Sequence, residues 1–140
     1  PVRKTSEQAS KNWKEKISLL NIDGNHEYKF AKQDLQLWLK HLDDNGIVVC
    51  HDAFAPYPEV FKAVKEEIFD KNFGYVGIND SQIFAVKNKK SNFQKPFIIL
   101  ASNIWHNEKL PYFLRDFIVK RLLKLFYLNK IMIRVMLNLF

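Results

Sequence analysis

The chain has 140 residues, the size of one domain, and 47% of them are hydrophobic, which supports a core and excludes global disorder. Its net charge is +7, and its single cysteine, Cys50, excludes a disulfide framework and a cysteine-rich zinc site. The four glycines, Gly24, Gly46, Gly74 and Gly77, stand isolated, so neither G-x-G-x-x-G nor G-x-x-x-x-G-K-[ST] can be formed and a glycine-rich nucleotide cradle is excluded from these residues.

In chain order, Thr5–Lys16 reads as a short polar helix capped by Ser6, with Ala9 and Trp13 on one face. Ile17–Ile22 is a short apolar run that stops at Asp23-Gly24, as a buried strand does at a turn. Tyr28–Leu42 carries Phe30, Leu35, Trp38, Leu39 and Leu42 at helical spacing, and Asp43-Asp44-Asn45-Gly46 closes it. Ile47–Cys50 is a second buried strand, ended by His51-Asp52. After Pro56 and Pro58, Glu59–Phe69 reads as a helix with Val60, Ala63, Val64 and Ile68 on one face. Tyr75–Ile78 and Gln82–Val86 flank Asn79-Asp80-Ser81, a hairpin signal. Trp13 and Trp38 are expected in the core, Cys50 as a small buried hydrophobe, and His41 and His106 at the surface.

Strand, helix, strand, helix and hairpin describe an α/β fold with a largely parallel sheet. The first two strands each end in a polar turn, one holding Asp23 and His26, the other His51 and Asp52. Ligands of open α/β sheets bind beyond the carboxyl ends of the strands, where these groups collect. Residues 1–88 are expected to form this domain, 89–109 a polar linker, and 110–140 a helical tail.

The charge sits in the tail. From Leu110 to Phe140 six basic residues face one acid, Asp116, for a net +5, which leaves +2 on residues 1–109. A basic face on the folded domain is what nucleic-acid binding wants, so no nucleic-acid partner is expected. On a helix, Asp116, Lys120, Lys124, Lys130, Arg134 and Asn138 fall on one side, with Leu114, Phe117, Ile118, Leu122, Leu125, Leu128, Met132, Val135 and Leu139 over the rest. Charges interrupt the apolar run that a spanning helix requires. A basic amphipathic helix in a membrane interface and a helix packed on a missing half of the fold or on a second subunit are equally weighted readings. Pro1–Lys16 is polar and shows no signal peptide, so a cytoplasmic protein, peripheral at the inner face of the membrane, is expected.

The ordered set Leu20-Asn21-Ile22-Asp23-Gly24-Asn25-His26-Glu27-Tyr28, Asp34-Leu35, Trp38-Leu39, Gly46–Asp52 and Val60–Val64 resembles the carboxyl-terminal half of class I S-adenosylmethionine-dependent methyltransferases. The nearest branch has an I-D-G-x-H-x-Y turn and an H-D turn and is found among small-molecule and sugar O-methyltransferases. The resemblance runs from about Ser6 to Val86 and implies a partial Rossmann-like sheet, parallel strands followed by an antiparallel hairpin, with a helical carboxyl-terminal tail. It implies that Asp23 ends the family's fourth strand and His51-Asp52 its fifth. The family's glycine-rich cofactor turn has no counterpart here. Two expectations follow: an amino-terminal half outside these residues, or a non-catalytic remnant serving as an interaction module.

The resemblance also implies S-adenosylmethionine as cofactor and a small hydroxylated acceptor, with a sugar of a surface glycan as one candidate. Asp23, His51 and Asp52 take the positions of ligands to a divalent metal, Mg²⁺ or Mn²⁺, although the family's acidic pair is His-Asp here. A metal would lower the pKa of a chelated hydroxyl. Alternatively His26 or His51 serves as general base, because imidazole titrates near neutral pH. Read without the family, Asp23-Gly24 is a strand-ending turn, His26 a cap or solvent residue, and Asp52 a helix cap. A homo-oligomer is compatible with all of these.

Overall fold

The computed structural model describes residues 2–88 and 95–137, with side chains described as far as residue 125. The chain divides into two compact units, Pro1–Asn92 and Phe93–Phe140.

In the first unit, helix α1 (Ser6–Ser10) precedes strand β1 (Ile17–Ile22), helix α2 (Tyr28–Trp38) and strand β2 (Leu42–Cys50). Helix α3 (Pro58–Val64) runs into a π-helical turn at Lys65–Phe69, and strands β3 (Phe73–Asn79) and β4 (Gln82–Lys87) follow. The sheet order is β1-β2-β4-β3. Among the described residues only β1 and β2 pair in parallel; β2 with β4, and β4 with β3, are antiparallel. The sheet is therefore mixed rather than largely parallel, because the hairpin returns onto β2 and contributes two of the three pairings.

The closing turn expected at Asp43–Gly46 lies inside β2. Ile17 pairs with Leu42 and Leu19 with Ile47, so these four residues bulge out of the ladder. Asn45 takes the left-handed conformation there, at φ 66°. Leu42 consequently leaves the helix assigned to it and becomes the first, fully buried residue of β2. Beyond the bulge the register runs unbroken from Leu19–Ile47 to Ile22–Cys50.

Leu20, Val48, Cys50, Val76, Ile78, Ile83 and Ala85 form the buried side of the strands. Helix α2 packs on β1 and α3. It buries Ala31 and Leu35, a four-residue spacing that puts both on one face. From α3 and its π-helical turn come Val60, Phe61, Ala63, Val64, Ile68 and Phe69. Pro58 begins α3, where a missing N–H costs nothing. Glu67 is buried, and its carboxylate accepts from Gln36 Nε2 at 2.8 Å and pairs with Lys71, so its charge is answered.

Helix α1 is capped by Thr5 rather than Ser6. Thr5 Oγ1 and the Gln8 side chain exchange a capping box, while Ser6 Oγ accepts the Trp38 indole N–H at 2.6 Å. Trp13 is 37% exposed rather than core, edge-on to Trp38 with ring centroids 5.5 Å apart. His41 and His106 are half-buried rather than surface residues, and burial lowers both imidazoles below their ordinary pKa. Cys50 is buried, as its place in an apolar strand suggests.

In the second unit, helix α4 (Lys95–Trp105) occupies much of the segment expected as linker. Ile98, Ala101 and Ser102 are its buried stripe, and the polar residues before them conceal this i, i+3, i+4 pattern. Residues 89–94 of that expected linker lie outside the described residues. Helix α5 (Tyr112–Leu137) packs on α4 with Val119 buried. The tail positions Leu128, Lys130, Met132, Arg134, Val135, Asn138 and Leu139 lie outside the described side chains. Among the described residues no helix is long and apolar enough to cross a membrane.

Candidate active site

The parallel pairing of β1 with β2 builds the site. Ile22 and Cys50 are register partners, and the His51 backbone N–H donates to the Ile22 carbonyl at 2.9 Å. The next residues, Asp23 and His51-Asp52, therefore emerge side by side at the carboxyl edge of the two strands. The His51 Nδ1 atom lies 3.4 Å from Asp23 Oδ1 and 3.3 Å from Asp52 Oδ2.

His26 reaches the same carboxylate from the other turn. Its Nε2 is 3.3 Å from Asp52 Oδ2. The turn that aims it is fixed locally: Asn25 Oδ1 accepts the Glu27 backbone N–H at 2.8 Å, and Glu59 Oε2 accepts that of Tyr28 at 2.9 Å. The imidazole stacks on Tyr57, with centroids 4.0 Å apart and planes 4° from parallel. Asp52 itself is in the left-handed region at φ 50°. Asp enters that region more readily than most residues, but it remains a sparsely populated conformation of the kind that collects at functional sites.

All four candidates thus converge, with one Asp52 oxygen, Oδ2, 3.3 Å from a nitrogen of each imidazole. His26 Nε2 and His51 Nδ1 are shielded from solvent and meet the carboxylates at ion-pair distance without hydrogen-bond alignment. Contacts of this length are common in unliganded sites and tighten when substrate arrives. The Asp52 carboxylate favours a proton on each facing nitrogen, which leaves His26 Nδ1 and His51 Nε2 with lone pairs.

The metal reading finds less support. Among the described residues no group of three or more His, Cys, Asp or Glu side chains is arranged to hold a metal ion. His51 Nδ1 is 3.4 Å from Asp23 Oδ1 and 3.3 Å from Asp52 Oδ2, so the three expected ligands contact one another directly.

The sequence did not single out Tyr57, Asn25 or Glu59. Tyr57 precedes Pro58 in a broken segment, and nothing in its spacing signals that its ring stacks on a histidine 31 positions earlier. These residues, with Glu27 and Pro58, line an open groove of about 450 Å³ against His26. A larger groove of about 590 Å³ follows the outer edge of β1, lined among others by Trp13, Leu19, Asp23, Asp34 and Trp38.

A family described as a methyltransferase domain has a model that matches residues 1–53. The matched segment runs from α1 to the end of β2 and holds Asp23, His26, His51 and Asp52. It supports a methyltransferase domain in this chain. No curated protein matches the chain.

Proposed function

We propose that the chain forms the acceptor-side, carboxyl-terminal part of a Rossmann-like S-adenosylmethionine-dependent O-methyltransferase acting on a small hydroxylated molecule, with a sugar of a surface glycan as one candidate. The observation that carries this reading is the Asp52 carboxylate 3.3 Å from both His26 Nε2 and His51 Nδ1, inside the segment that matches a methyltransferase domain. The sheet supports it too. β1 is an edge strand, and its Leu19 is 64% exposed along the open groove, so further strands can add there.

S-adenosylmethionine would supply an electrophilic methyl group for in-line attack by the acceptor oxygen. The chain's own residues handle the acceptor. His26 is the general base: with Nε2–H facing Asp52, its Nδ1 takes the hydroxyl proton, and the carboxylate stabilises the imidazolium that forms. His51 holds the same Asp52 oxygen and Asp23 anchors His51. Tyr57 keeps the His26 ring in plane for the transfer. The test is methyl transfer from labelled S-adenosylmethionine to a panel of sugars and other polyols by the protein that carries this chain. His26→Ala should lower turnover by about 10²-fold or more, the usual worth of a positioned base. Unchanged turnover would remove His26 from the mechanism.

A second reading, a non-catalytic interaction module, is favoured by the glycines. A Cβ at Gly24 would come within 2.8 Å of Asp34 Oδ2, one at Gly46 within 2.9 Å of the Asp43 carbonyl, and one at Gly77 would strike the Phe84 ring. Each of these glycines serves packing of its own chain, and none opens a cradle for a nucleoside cofactor, so these residues alone do not fit the cofactor. Calorimetric titration of residues 1–140 with S-adenosylmethionine is expected to give weak or no binding. Tight binding would overturn both the module reading and the assignment of the cradle to sequence outside this chain.

A further inference from the structure

We propose that α5 docks the protein on an anionic lipid surface through a mixed aromatic and basic face. At about 100° per residue, Phe113, Phe117, Lys120, Arg121 and Lys124 fall within an arc of roughly 100° on one side of the helix. The buried Val119 lies on the opposite side. Phe113 is 73% and Phe117 54% exposed, and the Lys120 side chain is 74% exposed. The five residues line a shallow groove of about 680 Å³. The sequence alone suggested basic residues on one side and Phe117 on the other; in the structure the two phenylalanines stand among the cations.

Exposed rings beside cations are the composition of a helix that lies in an interface, with the rings at the acyl boundary and the cations among lipid phosphates. Arg121 is already above the Phe117 ring, its guanidinium carbon 4.8 Å from the centroid, so the pair can enter the headgroup layer as one unit. Asp116, the acid of this face, is paired with Lys120 at 2.8 Å and leaves Arg121 and Lys124 to face phosphate. Two alternatives fit less well. A second copy would bring three cations against three like cations. A nucleic acid would neutralise the cations but leave Phe113 in water, since a helix this narrow offers no stacking platform.

The test is co-sedimentation of the full chain with vesicles of phosphatidylcholine alone or mixed with phosphatidylglycerol. Binding is expected to the mixed vesicles and to fall steeply as salt is raised. Phe113→Ala with Phe117→Ala should weaken it about tenfold or more, from lost apolar burial. Arg121→Gln and Lys124→Gln should each cost about fivefold, and Lys120→Gln, whose charge Asp116 already pairs, less than that. Far-ultraviolet circular dichroism establishes that each variant keeps its helix, and the salt dependence of the unaltered chain tests the proposal if one does not. No sedimentation with anionic vesicles, equal binding to neutral vesicles, or binding unaltered by the phenylalanine pair overturns it. So does preferential binding of a duplex oligonucleotide over anionic vesicles.

Discussion

Asp52 Oδ2 lies 3.3 Å from His26 Nε2, although the two residues belong to different turns 26 positions apart. The same oxygen is 3.3 Å from His51 Nδ1, so one carboxylate oxygen lies against two imidazoles. Asp52→Asn keeps the size of the side chain and removes its charge, so the tautomer of His26 is no longer fixed. Turnover should fall by about 10²- to 10³-fold, the usual worth of a positioned base. Asp23→Asn touches only His51 and should cost less than about tenfold, as a positioning change rather than the loss of a proton acceptor. Equal losses in the two variants would place the base at His51 instead.

Gly77 and Phe84 are cross-strand partners in the β3–β4 hairpin. The Phe84 ring covers the glycine so closely that an added Cβ would sit 2.7 Å from Cε1 and 2.8 Å from Cε2. Phe84 is half-buried, so relief requires its ring to tilt off the strand pair or the hairpin to shift. Gly77→Ala should destabilise the fold by about 1–3 kcal/mol, read from the urea midpoint. Combining it with Phe84→Leu should cost less than the sum of the two single changes, because the substitutions meet at one contact. Strict additivity would show that the clash is not the cause.

Much of this architecture is legible in the sequence because local signals agree with it. Ile17–Ile22 is apolar, short and closed by Asp-Gly, and it forms β1 with those bounds. The turn at Asn79-Asp80-Ser81 separates two strands as its composition indicates, although both strands extend beyond the expected limits. Where tertiary contacts decide, the sequence is silent. Leu42 fits the helical period of α2 equally well, but its burial opposite Ile17 draws it into β2 and forces Asp43–Gly46 into a bulge. The site divides in the same way. Asp23, His26, His51 and Asp52 stand at strand ends and can be found from position, whereas the Tyr57 stack on His26 depends on how a proline-broken loop folds back.

Lys32, Tyr28 and Glu66 join α2 to the π-helical turn after α3. Glu66 Oε2 accepts from Lys32 Nζ at 2.7 Å and from Tyr28 Oη at 2.6 Å. The hydrogen bond from Lys32, then that from Tyr28, holds the Glu66 carboxyl below its ordinary 4.5, and Glu66 in turn raises Lys32 above its ordinary 10.5. A carboxyl whose folded pKa is lowered stabilises the fold above its unfolded value and loses that contribution as pH falls through the folded one. The lysine's contribution is complete below 10.5 and is lost as pH rises through its folded value. The unaltered protein should therefore exceed Glu66→Gln in stability across neutral pH. The two denaturation curves should converge in strong acid and again in strong base. A stability gap independent of pH would mean that the glutamate contributes packing alone.

Tyr75 is 54% exposed and takes φ 48°, a left-handed conformation that a bulky side chain adopts only under constraint. The constraint is the irregularity in β3 between Gly74 and Gly77, where the register with β4 slips. Tyr75→Asn keeps the bulge and supplies a residue that enters this region more readily. It should raise stability by about 0.5–1 kcal/mol in a urea titration, since little apolar burial is given up. A loss of stability would mean that the exposed face of the ring contributes more than its backbone strain removes.

Cys50 joins the core to the site: it pairs with Ile22 in the ladder and directly precedes His51. Burial pushes its thiol up to about 12, and the side chain is fully enclosed. The nucleophile toward iodoacetamide is the thiolate, so both charge and access hold the folded protein unreactive. Alkylation should be slow at pH 8 and should accelerate with urea along the unfolding curve. The rate then reports how often the β1–β2 edge opens. A hydroxylated acceptor that binds at His26 and Asp52 should slow alkylation, because it stabilises the closed edge by mass action. Rapid alkylation of the native protein, with the rate of a free thiol, would show that this edge is open in solution and that Asp23 and His51 are not held together.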